Sequence, residues 1–586
     1  MSPREALKTY FGYEEFRPLQ AEIIESVLAG RDTLALMPTG GGKSLCFQVP
    51  TLVIGHDNPE RRLCLVITPL IALMRDQVAN LHERGIHAEA VYTGLSHDRQ
   101  RAALDNCLFG PYHFLYCSPE RLESEEFRKQ LSKLPIGLIA VDEAHCISQW
   151  GYDFRPSYLK IADIRQVLPD VPVLALTATA TPNVVEDIQA RLGFREQNVL
   201  RKSFRRENLQ YIVRRTTDKP AQIAHILSRV PGSAIVYVRN RKRAEELAEW
   251  LNNHPSFQGG ERPVDGRIEK DGGRLINFYH AGLTTKERNE RQQAWKEGRT
   301  RVIVATNAFG MGIDKADVRV VIHHDLPSHL ESYYQEAGRA GRDGKTAYAV
   351  LLYNDEDKQK ARKRVVDTYP PKEFVERVYH NTCDFLQVGA GSGLGHRFAL
   401  HIDQLCHVMR LPVIQTYSAL HILTQAGYFN FEEEHETQPR VQINVPRHEL
   451  GEYDLSSAQI ELLDRLMRQY SGIYTDLQYV READTPADHE TLVSLAQRGV
   501  VTYIPRSVGC SLTFTREREA DIYLSPSIFD DRQRLFAEQL NAMIEYAEQT
   551  QFCREQVLLA YFGETDAVPC GHCDVCRDLA HRVFAE

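Results

Sequence analysis

Lys43 and Ser44 close a glycine-rich run, Met37-Pro-Thr-Gly-Gly-Gly-Lys-Ser, whose residue types suit a polyphosphate. In such a turn the backbone N–H groups point inward and a following helix adds positive dipole. The lysine reaches the terminal phosphates, and the serine hydroxyl is a ligand for Mg²⁺. Pro38, Thr39, Gly40, Gly41 and Gly42 would form the cradle. Met37 stands where the strict pattern has glycine, so only Gly42-Lys43-Ser44 matches fully. A plain glycine-rich turn is the other reading. Asp142 and Glu143 are the second set: Asp142 suits Mg²⁺ through its water shell, and Glu143 suits the orientation of an attacking water. The bland reading of that pair is a solvated turn.

These groups need rigid carriers. Thr33-Leu-Ala-Leu reads as a strand before the glycine run, and Leu45-Cys-Phe-Gln-Val opens a helix after it. Ile136 to Val141 reads as a buried parallel strand. Acids at its C-terminal end sit where α/β sheets bind ligands. Leu174-Ala-Leu is a strand before Thr177-Ala178-Thr179-Ala180, a small hydroxyl loop suited to sensing a terminal phosphate. Val302 to Thr306, then Phe309 to Asp314, is another strand with a glycine-rich loop. Gln335 to Asp343 sets Arg339 and Arg342 among glycines. An arginine there stabilises charge on a transferring phosphoryl group, an effect of roughly 10³–10⁵ in rate. Either arginine alone also reads as a surface residue near a turn. Lys43 and Arg342 fall on separate strand–helix series, so a nucleotide between them would bridge two domains.

The chain has 586 residues, enough for about three to five domains. Hydrophobic content of 43% supports packed cores. A formal net charge of −9 excludes a uniformly basic nucleic-acid coat. Any nucleic-acid contact must use local patches of Lys and Arg. No apolar run reaches the roughly 18 residues of a membrane helix, and the N-terminus lacks a signal-peptide core. Of twelve cysteines, four cluster near the C-terminus and the rest are scattered singly. Scattered cysteines suit a reducing cytoplasm; a nucleoid-associated place is the expectation if the chain is bacterial.

With these residues assembled, residues 1–353 resemble the RecQ family of superfamily 2 helicases. Asp142-Glu-Ala-His145 resembles the family's Walker B variant, and His145-Cys-Ile-Ser-Gln149-Trp150-Gly-Tyr-Asp-Phe154-Arg155-Pro its aromatic-rich loop. Phe11-Gly-Tyr13-Glu-Glu-Phe16-Arg17-Pro-Leu-Gln20 resembles its adenine-reading Q-motif, and Gln335 to Asp343 its motif VI. The family's phosphate loop tolerates Met37. The resemblance implies a 3′-to-5′ DNA helicase driven by ATP and Mg²⁺, acting in recombination and repair. Gln20 would pair with adenine, Tyr13 would stack on it, and Arg17 would pack alongside. Asp314 and Gln335 would join the ATP site.

The aromatic loop carries the DNA expectation. Trp150 is one of three tryptophans and stands among loop formers. Aromatic faces stack on unpaired bases for roughly 1–3 kcal/mol each. Arg155 would neutralise phosphate, and His145 links this loop to the Asp-Glu pair. Interdomain core is the other reading of Trp150 and Phe154. Thr68, Thr93, His280 and Thr306 follow apolar strands and suit phosphate contacts. The expected partner is DNA, single-stranded, forked or tailed. Single-strand-binding and recombination proteins are candidate protein partners, and no membrane is expected.

Cys553 and Cys570-Gly-His-Cys573-Asp-Val-Cys576 supply four thiolates, which suits closed tetrahedral Zn²⁺. His572 could replace one thiolate, with poorer geometry. A redox Cys-x-x-Cys pair is the rival. The approach to Cys553 through Glu564 resembles the RecQ zinc module, and the expected role is structural.

The expected fold is α/β: two RecA-like parallel-sheet motor domains at 1–205 and 206–353, then winged-helix-like α+β segments, then a small helical four-Cys zinc module. Residues 354–450 and 451–545 would be two such segments in tandem, with zinc at 546–586. Val500 to Phe514 reads as a β-hairpin with Arg506 near its tip, suited to touch DNA. The acids of Glu432-Glu-Glu-His-Glu weigh against DNA contact there, and a packing module is the alternative. The usual family order puts zinc directly after the motor, so this region departs from it. No accessory helical domain is expected after the zinc module. Residues 252–273 read as a charged surface insertion. The leading function is an ATP-dependent helicase. The alternatives are an ATP-driven translocase or annealer, and a nucleotide-switched DNA-binding scaffold.

Overall fold

The structure, a computed structural model, describes residues 1–586 apart from 39, 93, 152, 258–274, 311–314, 435–438, 454, 471, 475–477, 481–485, 505–508 and 584–586. Two compact units emerge: residues 1–361 with 535–586, and residues 362–534.

The first unit holds two parallel sheets. The first runs β1 (Thr33–Leu36), β2 (Leu63–Ile67), β3 (Ala88–Val91), β4 (Phe114–Cys117), β5 (Ile136–Val141), β6 (Val173–Thr177) and β7 (Val199–Arg201). Its spatial order is β3-β4-β2-β5-β6-β1-β7. β1, β2, β4, β5 and β6 are buried along their whole length. That burial suits continuous Leu/Ile/Val/Ala runs rather than alternation, because helices cover both faces of a parallel sheet. Helices Gln20–Leu28 and Leu45–Asp57 pack together over this core, with Ile23, Val49, Leu52, Val66 and Leu174 inside. β6 lies between β5 and β1, so the strand ends carrying Asp142, Thr177 and the glycine loop are neighbours.

The second sheet comprises β8 (Leu209–Arg215), β9 (Ser233–Tyr237), β10 (Ile276–Tyr279), β11 (Val302–Ala305), β12 (Val318–His323) and β13 (Ala347–Tyr353). Its order is β10-β11-β9-β12-β13-β8, again all parallel. The cysteine-bearing segment belongs to this same unit. Tyr546 packs on Tyr333 at 5.3 Å, and Glu548 accepts from Tyr353 Oη at 2.9 Å and Lys358 Nζ at 2.9 Å.

The second unit corrects the tandem expectation. β14 (Arg397–Leu400) and β15 (Phe429–Glu434) flank β19 (Gly509–Phe514), antiparallel on both sides. A second sheet places β16 (Arg440–Ile443) between β17 (Gln478–Tyr479) and β18 (Val501–Ile504). The segments split at 450 therefore share sheets, and residues 440–504 form an insert between β15 and β19. Each part has its own core, Leu405, Leu420, Phe429 and Leu512 in one, Val441, Leu463, Leu466 and Leu495 in the other. The expected 500–514 hairpin does not form. β18 pairs with β16 and β19 with β14 and β15, because each strand has its buried partners elsewhere. The proposed tip, Arg506, lies outside the described residues, as does most of the 252–273 insertion. Among the described residues no helix is long and apolar enough to cross a membrane.

Asp32, just before β1, fixes the strand that feeds the glycine loop. Its buried carboxylate accepts from Val173 N at 2.9 Å, Arg195 N at 3.0 Å and Arg165 Nη2 at 2.7 Å. Burial works to raise its pKa, but the hydrogen bonds from Arg195 and Val173 outweigh it and hold the carboxyl below its usual value. Asp32→Ala would leave these donors without an acceptor and should cost about 3 kcal/mol. Arg195 is half exposed and contributes little of that. Because the folded pKa is depressed, the contribution is full above the unfolded carboxylate value and fades as pH falls through the folded one. A urea midpoint at neutral pH unchanged by Asp32→Ala would refute this.

Candidate active site

Met37, the misfit of the glycine run, is fully buried. Its N–H donates to Thr177 O at 3.1 Å, and its sulfur lies 3.6 Å from Cys46 Sγ. It is a core residue beneath the loop, and the side chain fills space that a glycine would leave void. Gly40 and Gly42 take positive φ, +79° and +81°. A Cβ on Gly42 would stand 2.4 Å from Gln20 Nε2 and displace it, and the positive φ is what calls for glycine there. Thr39 lies outside the described residues.

Two of the loop's carbonyls are held by side chains from outside it. Arg17 Nη1 donates to Gly40 O at 2.7 Å, and Gln20 Nε2 donates to Gly42 O at 3.0 Å. Gln20 Oε1 in turn accepts from Arg17 N at 2.9 Å. Gln20 and Arg17, read from sequence as adenine contacts, are thus bonded to the loop itself. Tyr13 is half exposed.

Lys43 Nζ is 3.8 Å from Glu143 Oε1, so the glycine loop and the acid pair meet. Asp142 ends β5 and accepts from Glu143 N at 3.0 Å. Burial, then the Glu143 charge, raise the Asp142 pKa, and Lys43 opposes them. Glu143 has φ +47° and ψ +46°, a left-handed shape costing a non-glycine residue about 1–3 kcal/mol. Glu143 Oε2 is buried, 3.5 Å from His145 Nδ1, and accepts no hydrogen bond among the described residues. A buried acceptor beside a lysine and an Asp suits a bound water. Ser44 stands at the N-cap of the helix Leu45–Asp57, and its hydroxyl and the Asp142 carboxylate are the oxygen donors Mg²⁺ takes.

His145 Nδ1 lies 2.9 Å from Thr177 Oγ1, whose hydroxyl reaches Thr179 O at 3.2 Å. With the hydroxyl donating to Thr179, the proton between His145 and Thr177 sits on Nδ1. Burial lowers the His145 pKa to about 4, which keeps the ring neutral. His145, at the head of the aromatic loop, is therefore hydrogen-bonded to the hydroxyl loop, with the acid pair alongside at 3.5 Å. In that loop Ser148 Oγ donates to Asp187 at 2.7 Å and accepts from Trp150 N at 3.2 Å. Trp150 is 42% exposed, so it is not core. Arg155 pairs with Asp153 at 3.2 Å, while Gln149 and Phe154 are half-buried.

Thr68 is buried at the end of β2, and its hydroxyl lacks a partner among the described residues. His280 and Thr306 follow the adjacent strands β10 and β11. His280 Nε2 bonds Glu245 at 2.8 Å. Thr93 and Asp314 lie outside the described residues. Gln335 is half-buried on the helix Leu330–Ala337.

The two arginines are placed differently. A Cβ on Gly40 would stand 3.5 Å from Arg342 Cδ, so Arg342 reaches across from the second sheet onto the glycine loop. Arg339 is buried, with Nη2 beside Gly310. The sequence reading missed Arg206 and Asn208. Arg206 donates to Gly338 O, Ala340 O and Gly341 O at 3.0–3.3 Å, and Asn208 to Gly341 O at 2.6 Å. Nothing in their local sequence pattern signals this, because the acceptors are carbonyls from far along the chain.

The four Sγ atoms of Cys553, Cys570, Cys573 and Cys576 lie within 4.8 Å of one another. Backbone N–H groups point at them: Cys570 N to Cys553 Sγ at 3.3 Å, Cys573 N to Cys570 Sγ at 3.3 Å, and Cys576 N to Cys573 Sγ at 3.4 Å. Such donors favour thiolates, so the set fits a closed Zn²⁺ site. His572 turns away, its Nε2 lying 3.3 Å from Leu209 O.

Three family models match: DEAD/DEAH box helicase at residues 17–188, helicase conserved C-terminal domain at 218–344, and RecQ zinc-binding at 520–577. Among similar proteins is the ATP-dependent DNA helicase RecQ of Pasteurella multocida, 39% identical over 60% of this chain and 52% of the relative. The Bacillus subtilis protein of the same name is 42% identical over 60% of this chain and 56% of its own length. The chain thus spans little more than half the length of these relatives. Among solved structures, the DUF1998 helicase MrfA bound to DNA shares the fold, with a TM-score of 0.50, 19% identity, and coverage of 62% of this chain and 50% of that one. The motor models and the zinc model, matched in this order beside relatives about 40% identical, are consistent with a RecQ-family helicase.

Proposed function

We propose that this chain is an ATP-driven DNA helicase that moves 3′ to 5′ along one strand, in recombination and repair. The observation that carries it is the meeting of Lys43, Glu143 and Arg342 at one loop from two separate sheets. A group bound there touches both sheets, so its hydrolysis changes what holds them together. The names of the relatives supply the nucleic acid.

In this reading the loop amides and Lys43 hold the phosphates, and Ser44 and Asp142 hold Mg²⁺, which neutralises charge on them. Glu143 orients the attacking water through Oε2. Arg342 lies nearest the phosphates and meets the charge that develops on transfer, with Arg339 behind it. Binding of adenine by Gln20 would draw on the side chain that now holds Gly42 O, so occupancy and loop shape are coupled. His145 and Thr177 carry the state of the site to the loop bearing Trp150 and Arg155, which contact DNA. Thr68, Thr93, His280 and Thr306 serve the strand's phosphates. The four cysteines hold Zn²⁺, which closes the module without taking part in catalysis.

Strand displacement on 3′-tailed, 5′-tailed and forked duplexes tests the function, with Lys43→Ala as control. Unwinding only with a 3′ tail or fork is expected, and Lys43→Ala should lose at least about 10²-fold in ATP turnover. ATP turnover retained by Lys43→Ala would refute the site, and unwinding from 5′ tails alone would refute the direction. Trp150→Ala should leave ATP binding intact and raise the single strand needed for half-maximal stimulation roughly 5- to 100-fold. An unchanged DNA dependence would return Trp150 to a structural role. Elemental analysis should find one zinc per chain, and a chelator at raised temperature should abolish the protection of residues 553–576 from amide exchange. Zinc absent from freshly purified protein would overturn that assignment.

A further inference from the structure

The segment joining the two sheets runs from Arg201, the end of β7, to Leu209, the start of β8. It is built as a strap. On one side it grips the arginine loop: Arg206 Nη1 donates to Gly338 O at 3.2 Å, and Nη2 to Ala340 O at 3.0 Å and Gly341 O at 3.3 Å. Asn208 Nδ2 adds bonds to Gly341 O at 2.6 Å and Lys345 O at 2.9 Å. On the other side the cysteine module fixes it. Glu555 accepts from Arg206 N at 3.1 Å, and Glu564 accepts from Phe204 N at 2.7 Å. The approach is so close at Gly341, φ +66°, that a Cβ there would fall 2.5 Å from Asn208 Nδ2.

Neither Arg206 nor Asn208 faces the glycine loop. Both act on carbonyls, and those carbonyls belong to the turn that carries Arg339 and Arg342. A tight turn that aims a side chain one way exposes its carbonyls the other way, and these need donors. A planar guanidinium meets several carbonyls at once, with a fixed fork that lysine lacks.

We propose that Arg206 is a positioning residue for phosphoryl transfer. It locks the Gly338–Gly341 turn so that Arg342 stays over the glycine loop, and the cysteine module holds Arg206 in place through Glu555. This rests on the reading of the site as an ATPase. The strap is also the connection between the two sheets, so a change in their relation reaches the arginine turn through the residue that holds it.

Arg206→Met keeps an unbranched apolar stem and removes the donors. DNA-stimulated ATP turnover should then fall roughly 10²-fold in kcat, the scale of an ångström-sized misplacement, with KM for ATP within about twofold. Arg206→Lys should fall between that variant and the wild type. Adding Arg206→Met to Arg342→Ala should cost less than about twofold more, because with Arg342 gone there is nothing left for Arg206 to position. Amide exchange should rise across residues 338–345 and stay unchanged across 553–576. A normal kcat, kcat and KM impaired alike, independent effects with Arg342→Ala, or unchanged exchange at 338–345 would each overturn the proposal. Should the wild-type protein turn over no ATP, exchange still decides. A rise at 338–345 upholds the strap and refutes only the ATPase reading, and no rise refutes the strap.

Discussion

A loop that presents its amides to a polyphosphate must turn its carbonyls the other way, and those carbonyls need donors. Much of this site follows from that constraint. Under the glycine loop the donors are Arg17 and Gln20, from the segment leading into the helix Gln20–Leu28. Under the arginine turn they are Arg206 and Asn208, from the strap between the sheets. Each functional loop thus has a dedicated side-chain support, and neither support is part of the loop it holds. Gly42 and Gly341 lie against these supports in positive-φ backbone, +81° and +66°, which is why glycine stands at both.

Charge placement follows the same economy. Glu143 and Lys43 are close, largely removed from water, and only loosely paired at 3.8 Å. An ion pair at that distance leaves oxygen lone pairs free, and Glu143 Oε2 is such an atom. A tighter pair would be more stable and less able to hold water. His145, neutral through burial, adds a directional hydrogen bond without adding a charge. Glu143 has a left-handed backbone, and Cys146 N, bonded to Glu143 O at 2.9 Å, helps retain it.

What the sequence made legible was local. Strand Ile136–Val141, the helix after Ser44 and the four-cysteine set each declare themselves within a short window of residue types. Met37 was a mismatch to a pattern, and its meaning needed the core beneath the loop. Gln20 and Arg17 carried the right chemistry, but their partners here are Gly42 and Gly40, which only the packed helix brings within reach. The strand pair near residue 505 looked like a hairpin because a polar link between apolar runs is a hairpin signal. Pairing instead follows burial: Leu512 needs the core of Phe429 and Leu420, and Val501 needs that of Val441 and Leu463. Nothing within ten residues records that preference.

The same logic explains why the accessory region sits inside the chain rather than after it. β15 and β19 pair in register from Phe429 with Phe514 out to Glu434 with Gly509. The insert therefore leaves and returns at facing residues, where a short turn would otherwise stand. Closing a longer loop at that point adds only a logarithmic entropy cost, about 0.6 kcal/mol per doubling. An insert with its own core offsets that readily. Unit 1 is interrupted in a similar way. The chain leaves after Ala361 and returns at Leu535, and Lys358 and Glu548, on the flanking helices, are paired at 2.9 Å. An interruption between facing residues leaves the pairing on either side intact. The cysteine module can therefore reach the strap and the arginine turn although a whole unit stands between it and the motor in sequence.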